Sequence, residues 1–138
     1  MYLLDTNACI ALIDGTPSAV RRRFQRAIAK DATLLVSSVV AFDLWYGVAK
    51  SEHTEANTQR LLAFLAGPLE WTPFDDDDAR EAGTVRAELV VAGRPIGAYD
   101  VLIAGQARRR SATLVTSNVR EFERVAGLNW EDWATRRR

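Results

Sequence analysis

Short apolar runs recur along this chain, each separated from the next by a segment patterned as helix, and that alternation limits the fold more than any other feature. Tyr2-Leu3-Leu4, Thr33-Leu34-Leu35-Val36, Glu70-Trp71-Thr72-Pro73-Phe74 and Thr113-Leu114-Val115-Thr116 read as strands, with a short last strand near Leu128-Asn129-Trp130. Their near-continuous apolar content marks strands covered on both faces, as in parallel sheets. Helices are expected at about 6–14, 17–29, 39–50, 53–66, 76–92 and 98–110. Pro17 suits a helix start, Ser37 or Ser38 can cap the third helix, and Gly67-Pro68 ends the fourth. Ala82, Val85, Leu89 and Ala92 supply the buried stripe of the fifth. The fold class is α/β: a three-layer α/β/α sandwich around a mainly parallel sheet of about five strands, with residues 1–138 as one domain.

Composition narrows the function. Cys9 is the only cysteine, so no internal disulfide can form and a reducing compartment is expected. No apolar run approaches membrane-spanning length and no basic leader opens the chain, so a cytoplasmic protein with no membrane partner is expected. A formal net charge of zero argues against charge-driven, nonspecific binding of polynucleotides. All cations but Lys30 and Lys50 are arginine, however, grouped at Arg21-Arg22-Arg23, Arg108-Arg109-Arg110 and Arg136-Arg137-Arg138. A solvated face explains such runs most simply, although the guanidinium fork also suits phosphate.

In open parallel sheets, ligands sit beyond the carboxyl ends of the strands, where the strand order reverses. Asp5 ends the first strand and Asn118 follows the fourth, so adjacent central strands would bring them into one crevice. Either residue could instead be a helix cap. Asp43 interrupts the apolar stretch Val39-Val40-Ala41-Phe42-Asp43-Leu44-Trp45-Tyr46-Gly47, where a carboxylate needs a hydrogen bond, an arginine or a cation. Asp100 opens a helix above Ile103, Ala104 and Ala107. Converging carboxylates repel one another unless a cation neutralises them, and oxygen-only ligands select hard ions such as Mg²⁺ or Mn²⁺.

Two acidic or nucleophilic features are set aside. Asp75-Asp76-Asp77-Asp78 points in several directions at a helix start, where acids favour the helix dipole. Cys9 reads as a small core residue, and the sole histidine, His53, lies in a polar stretch. The aromatic set Phe42, Trp45, Tyr46 and Phe64, with Leu61, Leu62 and Leu65, exceeds what a helix pair usually buries; core packing is expected to explain most of it, with the remainder suited to an interaction surface.

Leu3-Leu4-Asp5-Thr6-Asn7, Leu44-Trp45-Tyr46-Gly47-Val48, Ile96-Gly97-Ala98-Tyr99-Asp100-Val101-Leu102-Ile103-Ala104, Leu114-Val115-Thr116-Ser117-Asn118 and Glu121-Phe122-Glu123-Arg124-Val125, in that order, resemble the PIN-domain nucleases. Among these the chain is similar to the VapC-type toxins of bacterial toxin–antitoxin pairs. The resemblance implies a Mg²⁺- or Mn²⁺-dependent endoribonuclease acting on RNA, with transfer or ribosomal RNA as common targets. It implies Asp5, Asp43 and Asp100 as metal-binding catalytic residues, Asn118 as a polar positioning residue, and Thr6 and Thr116 as orienting groups. It also implies a VapB-like antitoxin partner and a homodimer, with heterotetramers or larger assemblies when antitoxin is bound. The family usually places glutamate where this chain has Asp43, a side chain shorter by one methylene. That departure motivates the alternative of a catalytically weak PIN module that binds RNA or a protein partner without efficient cleavage.

Overall fold

The computed structural model describes residues 1–135; the Arg136-Arg137-Arg138 cluster lies outside the described residues. The apolar runs form five short strands and the intervening segments form helices. In chain order these are β1 (Tyr2–Leu4), α1 (Thr6–Asp14), α2 (Ser18–Ala29), β2 (Leu34–Ser37), α3 (Ser38–Ala49) and α4 (Thr54–Leu65). They continue with β3 (Glu70–Thr72), α5 (Asp76–Val91), α6 (Ala98–Arg109), β4 (Thr113–Val115), α7 (Val119–Phe122) and β5 (Trp130–Glu131). Every strand pair is parallel and the sheet order is β3-β2-β1-β4-β5. The order grows outward from β1 to β3, then restarts at β4 on the other side of β1. The switch point therefore lies between β1 and β4, where Asp5 and Asn118 emerge.

Side chains alternate across a strand, so burial of all four β2 residues means that both sheet faces are covered. Leu3, Leu4, Leu34, Leu35, Val36, Leu114 and Val115 form the middle of one continuous core. Ser37 caps α3, accepting the Val39 N–H at 3.1 Å. Ala82, Val85 and Leu89 face the core as their spacing predicts, but Ala92 is exposed because α5 has ended. The last strand is Trp130–Glu131, slightly later than expected, and α7 is too short to announce itself by periodicity. Among the described residues, no helix is long and apolar enough to cross a membrane.

The acidic run at 75–78 is structural. Asp75 and Asp78 form a capping box at the start of α5. Asp78 then turns inward, fully buried, and accepts from Arg109 Nε at 2.7 Å, Arg110 Nη2 at 3.1 Å and Gln106 Nε2 at 3.1 Å. Arg108 bonds Glu81, Glu88 and the Ala126 carbonyl. The 108–110 arginines thus pin α6 to α5 and to the following loop; the expectation of a simple solvated face does not hold for them.

α5 and α6 approach so closely that a Cβ at Gly105 would stand 2.4 Å from the Ala82 Cα. Backbone cannot yield as a flexible side chain can. Gly105→Ala is expected to destabilise the protein by about 2 kcal/mol through overpacking, read as a lower urea midpoint at unchanged slope.

Candidate active site

β1 runs out at Leu4, and Asp5 adopts extended backbone as the N-cap of α1. Its Oδ1 accepts the Ala8 N–H at 2.8 Å, while its own N–H donates to the Val115 carbonyl at 3.1 Å. The cap reading and the site reading therefore describe the same buried residue. Burial pushes its carboxyl up; hydrogen bonds from Thr116 and the Ala8 backbone pull it back, and the Asp132 charge adds to the rise.

Asp43 sits on α3, half-buried, with Oδ2 accepting from Thr6 Oγ1 at 2.9 Å. The polar partner that its apolar surroundings demanded is a hydroxyl at the start of α1, and among the described residues no arginine bonds it. Thr6 and Thr116 thus each hold one aspartate in place.

Asp100 lies in the first turn of α6, behind the N-cap residue Gly97. A Cβ at Gly97 would stand 3.2 Å from Asp100 Oδ2, so glycine leaves the carboxyl room to fold back over the helix start. Burial, a hydrogen bond shared with Glu121, and the charges of Glu121, Asp5 and Asp43 push the Asp100 carboxyl up to about 7. Asp5 at the end of β1, Asp43 on α3 and Asp100 on α6 thus share one electrostatic neighbourhood.

Glu121 joins them, and the sequence reading assigned it no role. Its hydrogen bond with Asp100 holds its carboxyl below the usual range, helped by Asn118, Arg124 and the Gly97 backbone. In this pair, Asp100 keeps the proton and Glu121 the charge. Asn118 Nδ2 donates to Glu121 at 3.1 Å, and the Asn118 N–H donates to Thr116 Oγ1 at 2.9 Å. Asn118 therefore acts on a neighbouring carboxylate. The available signal was its spacing: Glu121 follows Asn118 by three residues, the separation that brings a cap residue and the first helical turn together.

Four carboxylates, no histidine and no free thiol make an oxygen-only donor set. Cys9 is fully buried and its thiol is pushed up in pKa, so it stays protonated. Among the described residues, no three acidic, histidine or cysteine side chains stand close enough together to hold a metal ion.

An all-parallel α/β/α sandwich with acids gathered at its switch point defines an acidic-pocket α/β protein. The PIN domain model matches residues 2–128, and the chain belongs to the PIN-domain family. It groups there with VapC proteins. It is 42% identical over 133 residues to the tRNA(fMet)-specific endonuclease VapC of Shigella flexneri, covering 96% of this chain and 98% of the relative. The structure of VapBC2 from Rickettsia felis bound to a DNA fragment from its promoter superposes with a TM-score of 0.89 at 39% identity, covering 96% and 98% of the two chains. DNA-bound VapBC from Salmonella typhimurium gives 0.87 at 39% identity, covering 96% and 97%.

Proposed function

We propose that this chain is the toxin of a VapBC-type toxin–antitoxin pair: a divalent-cation-dependent endoribonuclease, with a VapB-like antitoxin as partner and tRNA(fMet) as its preferred class of target. Full-length similarity to the Shigella flexneri enzyme supports the activity and the target, and likeness to VapBC complexes supports the partner. The observation that carries the reading is geometric: Asp5 ends β1 at the switch point, the adjacent Thr6 holds Asp43, and Asn118 beyond the neighbouring β4 holds Glu121. A homodimer is proposed on family likeness alone.

Asp5, Asp43 and Asp100, with Glu121, would hold Mg²⁺ or Mn²⁺. Such an ion, when bound, activates water as the nucleophile and offsets charge on the phosphodiester. The protein's own part is positional. The Ala8 N–H and Thr116 fix Asp5; Thr6 fixes Asp43; Asn118 fixes Glu121. Without a cation, the Asp100 carboxyl stores a proton against Glu121, and ion binding should release it.

Incubation of the purified chain with a tRNA(fMet) transcript tests this. Cleavage is expected with Mg²⁺ or Mn²⁺ and should cease with a chelator; chelator-insensitive cleavage would reject the metal assignment. The weaker-module reading draws on Asp43, whose shorter side chain is already tied to Thr6. A large gain in turnover in Asp43→Glu would identify an impaired enzyme, whereas RNA binding without turnover in both forms would favour the module.

A further inference from the structure

We propose that the exposed face of α2 is a track for the RNA backbone, leading into the cleft beside Asp5; this rests on the ribonuclease reading above. Among the described residues, α2 and its C-cap gather Arg21, Arg22, Arg23, Arg26 and Lys30 with no acidic residue between them. They do not all behave alike. Arg23 turns inward to Glu131, the Asp132 carbonyl and the Trp133 ring, and Arg21 bonds the Leu12 carbonyl. Arg22, Arg26 and Lys30 remain exposed, and their four-residue spacing lines them up along one side of the helix.

Their isolation is informative in a chain of zero net charge. Arg60 and the 108–110 arginines are paired with carboxylates. Arg80 and Arg86 on α5 share that helix with Asp76, Asp77, Glu81 and Glu88. The α2 row has no acid within its helix, its one acidic neighbour in sequence being Asp31 after Lys30, and guanidinium groups match phosphate in charge and geometry.

A cleft of about 220 Å³ connects this helix with the active site. One wall includes Asn7, Thr116 and Ser117, and Thr116 hydrogen-bonds Asp5; the other includes Thr16, Pro17 and Val20, where α2 begins. The cleft is lined mostly by apolar groups and holds one acid, Asp132, so the phosphates of a strand leaving Asp5 would be drawn away from it toward the cations of α2, beyond the cleft's own lining. Neutral overall charge then limits indiscriminate binding, while a local stripe still steers RNA.

The test is the triple variant Arg22→Ala/Arg26→Ala/Lys30→Ala, with Arg80→Ala/Arg86→Ala as control and thermal melting to check folding. Cleavage of the tRNA(fMet) transcript in Mg²⁺ is expected to show KM raised by roughly tenfold with kcat unchanged. Cleavage of a trinucleotide, too short to reach α2, should be unaffected. Binding of fluorescein-labelled transcript to the same proteins carrying Asp5→Asn should show a log-affinity against log-salt slope shallower by roughly 2, from about 0.7 per lost single-strand contact. The single Arg26→Ala protein should show about a third of that change, which keeps the test open if the triple variant folds poorly. Unchanged KM and slope, or an equal loss in the α5 control, would overturn the track. Loss of antitoxin binding with RNA behaviour intact would assign the stripe to a protein partner and also overturn it. RNA held along α2 but never cleaved would instead reject the nuclease reading and leave the track standing.

Discussion

Replacing Asp100 with asparagine is expected to lower RNA cleavage more than about a hundredfold while making the cation-free protein more stable at neutral pH. Loss of a supporting group around a metal already costs roughly ten- to hundredfold, and Asp100 is assigned as a ligand itself. The stability gain has a separate cause. The Asp100 carboxyl lies at about 7 in the folded protein against 3.8 for the unperturbed group, so the folded state holds its proton more tightly. Its contribution is therefore most favourable below about pH 4 and is lost as pH rises through about 7. Asparagine cannot ionise and escapes that loss. The carboxyl is partly open to water, which holds the gain to about 1 kcal/mol, roughly 4 °C in Tm near pH 8. Melting curves from pH 5 to 8 in chelator should thus fall more steeply for the parent than for the variant. Mg²⁺ should raise the Tm of the parent more than that of Asp100→Asn. Retained cleavage would show that Asp100 is not part of the reaction centre. Equal melting curves in chelator would show that its buried charge costs the fold nothing.

This trade of stability for chemistry separates what the sequence discloses from what it conceals. β1, β2 and β4 were legible because burial on both faces leaves an apolar run, and Asp5 because it stands where such a run stops; the edge strands β3 and β5 carry charged and exposed residues and were read less sharply. Asp43 was exposed by contrast with its apolar neighbours. Its partner was not readable: Thr6 lies 37 residues away, and only the packing of α1 against α3 brings them together. Glu121 was concealed for a different reason. It sits in a four-residue helix among other charges, Arg120, Glu123 and Arg124, where one more carboxylate carries no compositional signal. The arginine clusters show the same limit. Identical-looking triplets have different fates: every member of 108–110 meets carboxylates at α5, whereas in 21–23 Arg23 pairs with Glu131, Arg21 bonds the Leu12 carbonyl and Arg22 looks onto solvent. Core packing was expected to take up most of the aromatic set, yet Phe42, Trp45 and Tyr46 are all substantially exposed, so the surplus on α3 is larger than the sequence suggested.

Asp78→Asn should be the more damaging substitution for the fold, destabilising it by about 3 kcal/mol, although Asp78 takes no part in the proposed chemistry. Burial alone would push this carboxyl up, as at Asp5 and Asp100. Here the hydrogen bonds from Arg110, the Asp75 backbone and Arg109 outweigh burial and hold it at about 2. The opposite outcome follows from opposite company: arginines at the far end of α6, carboxylates at its start. Removing the charge leaves Arg109 and Arg110 facing a buried neutral amide, and breaking one side of such a network costs several kcal/mol. The linkage also runs opposite to that of Asp100. With a folded value near 2 against 3.8 unfolded, Asp78 contributes stability that is present above about pH 4 and is lost as pH falls through about 2. Urea titrations between pH 2 and 5 should show that acid-dependent loss in the parent and a shallower one in Asp78→Asn. Adding Arg110→Met, which removes a stranded cation while keeping apolar bulk, should recover part of the stability. Cleavage per folded molecule should match the parent throughout. A stable Asp78→Asn protein would mean that the network holds no net free energy; a stable but inactive one would place Asp78 in the reaction after all.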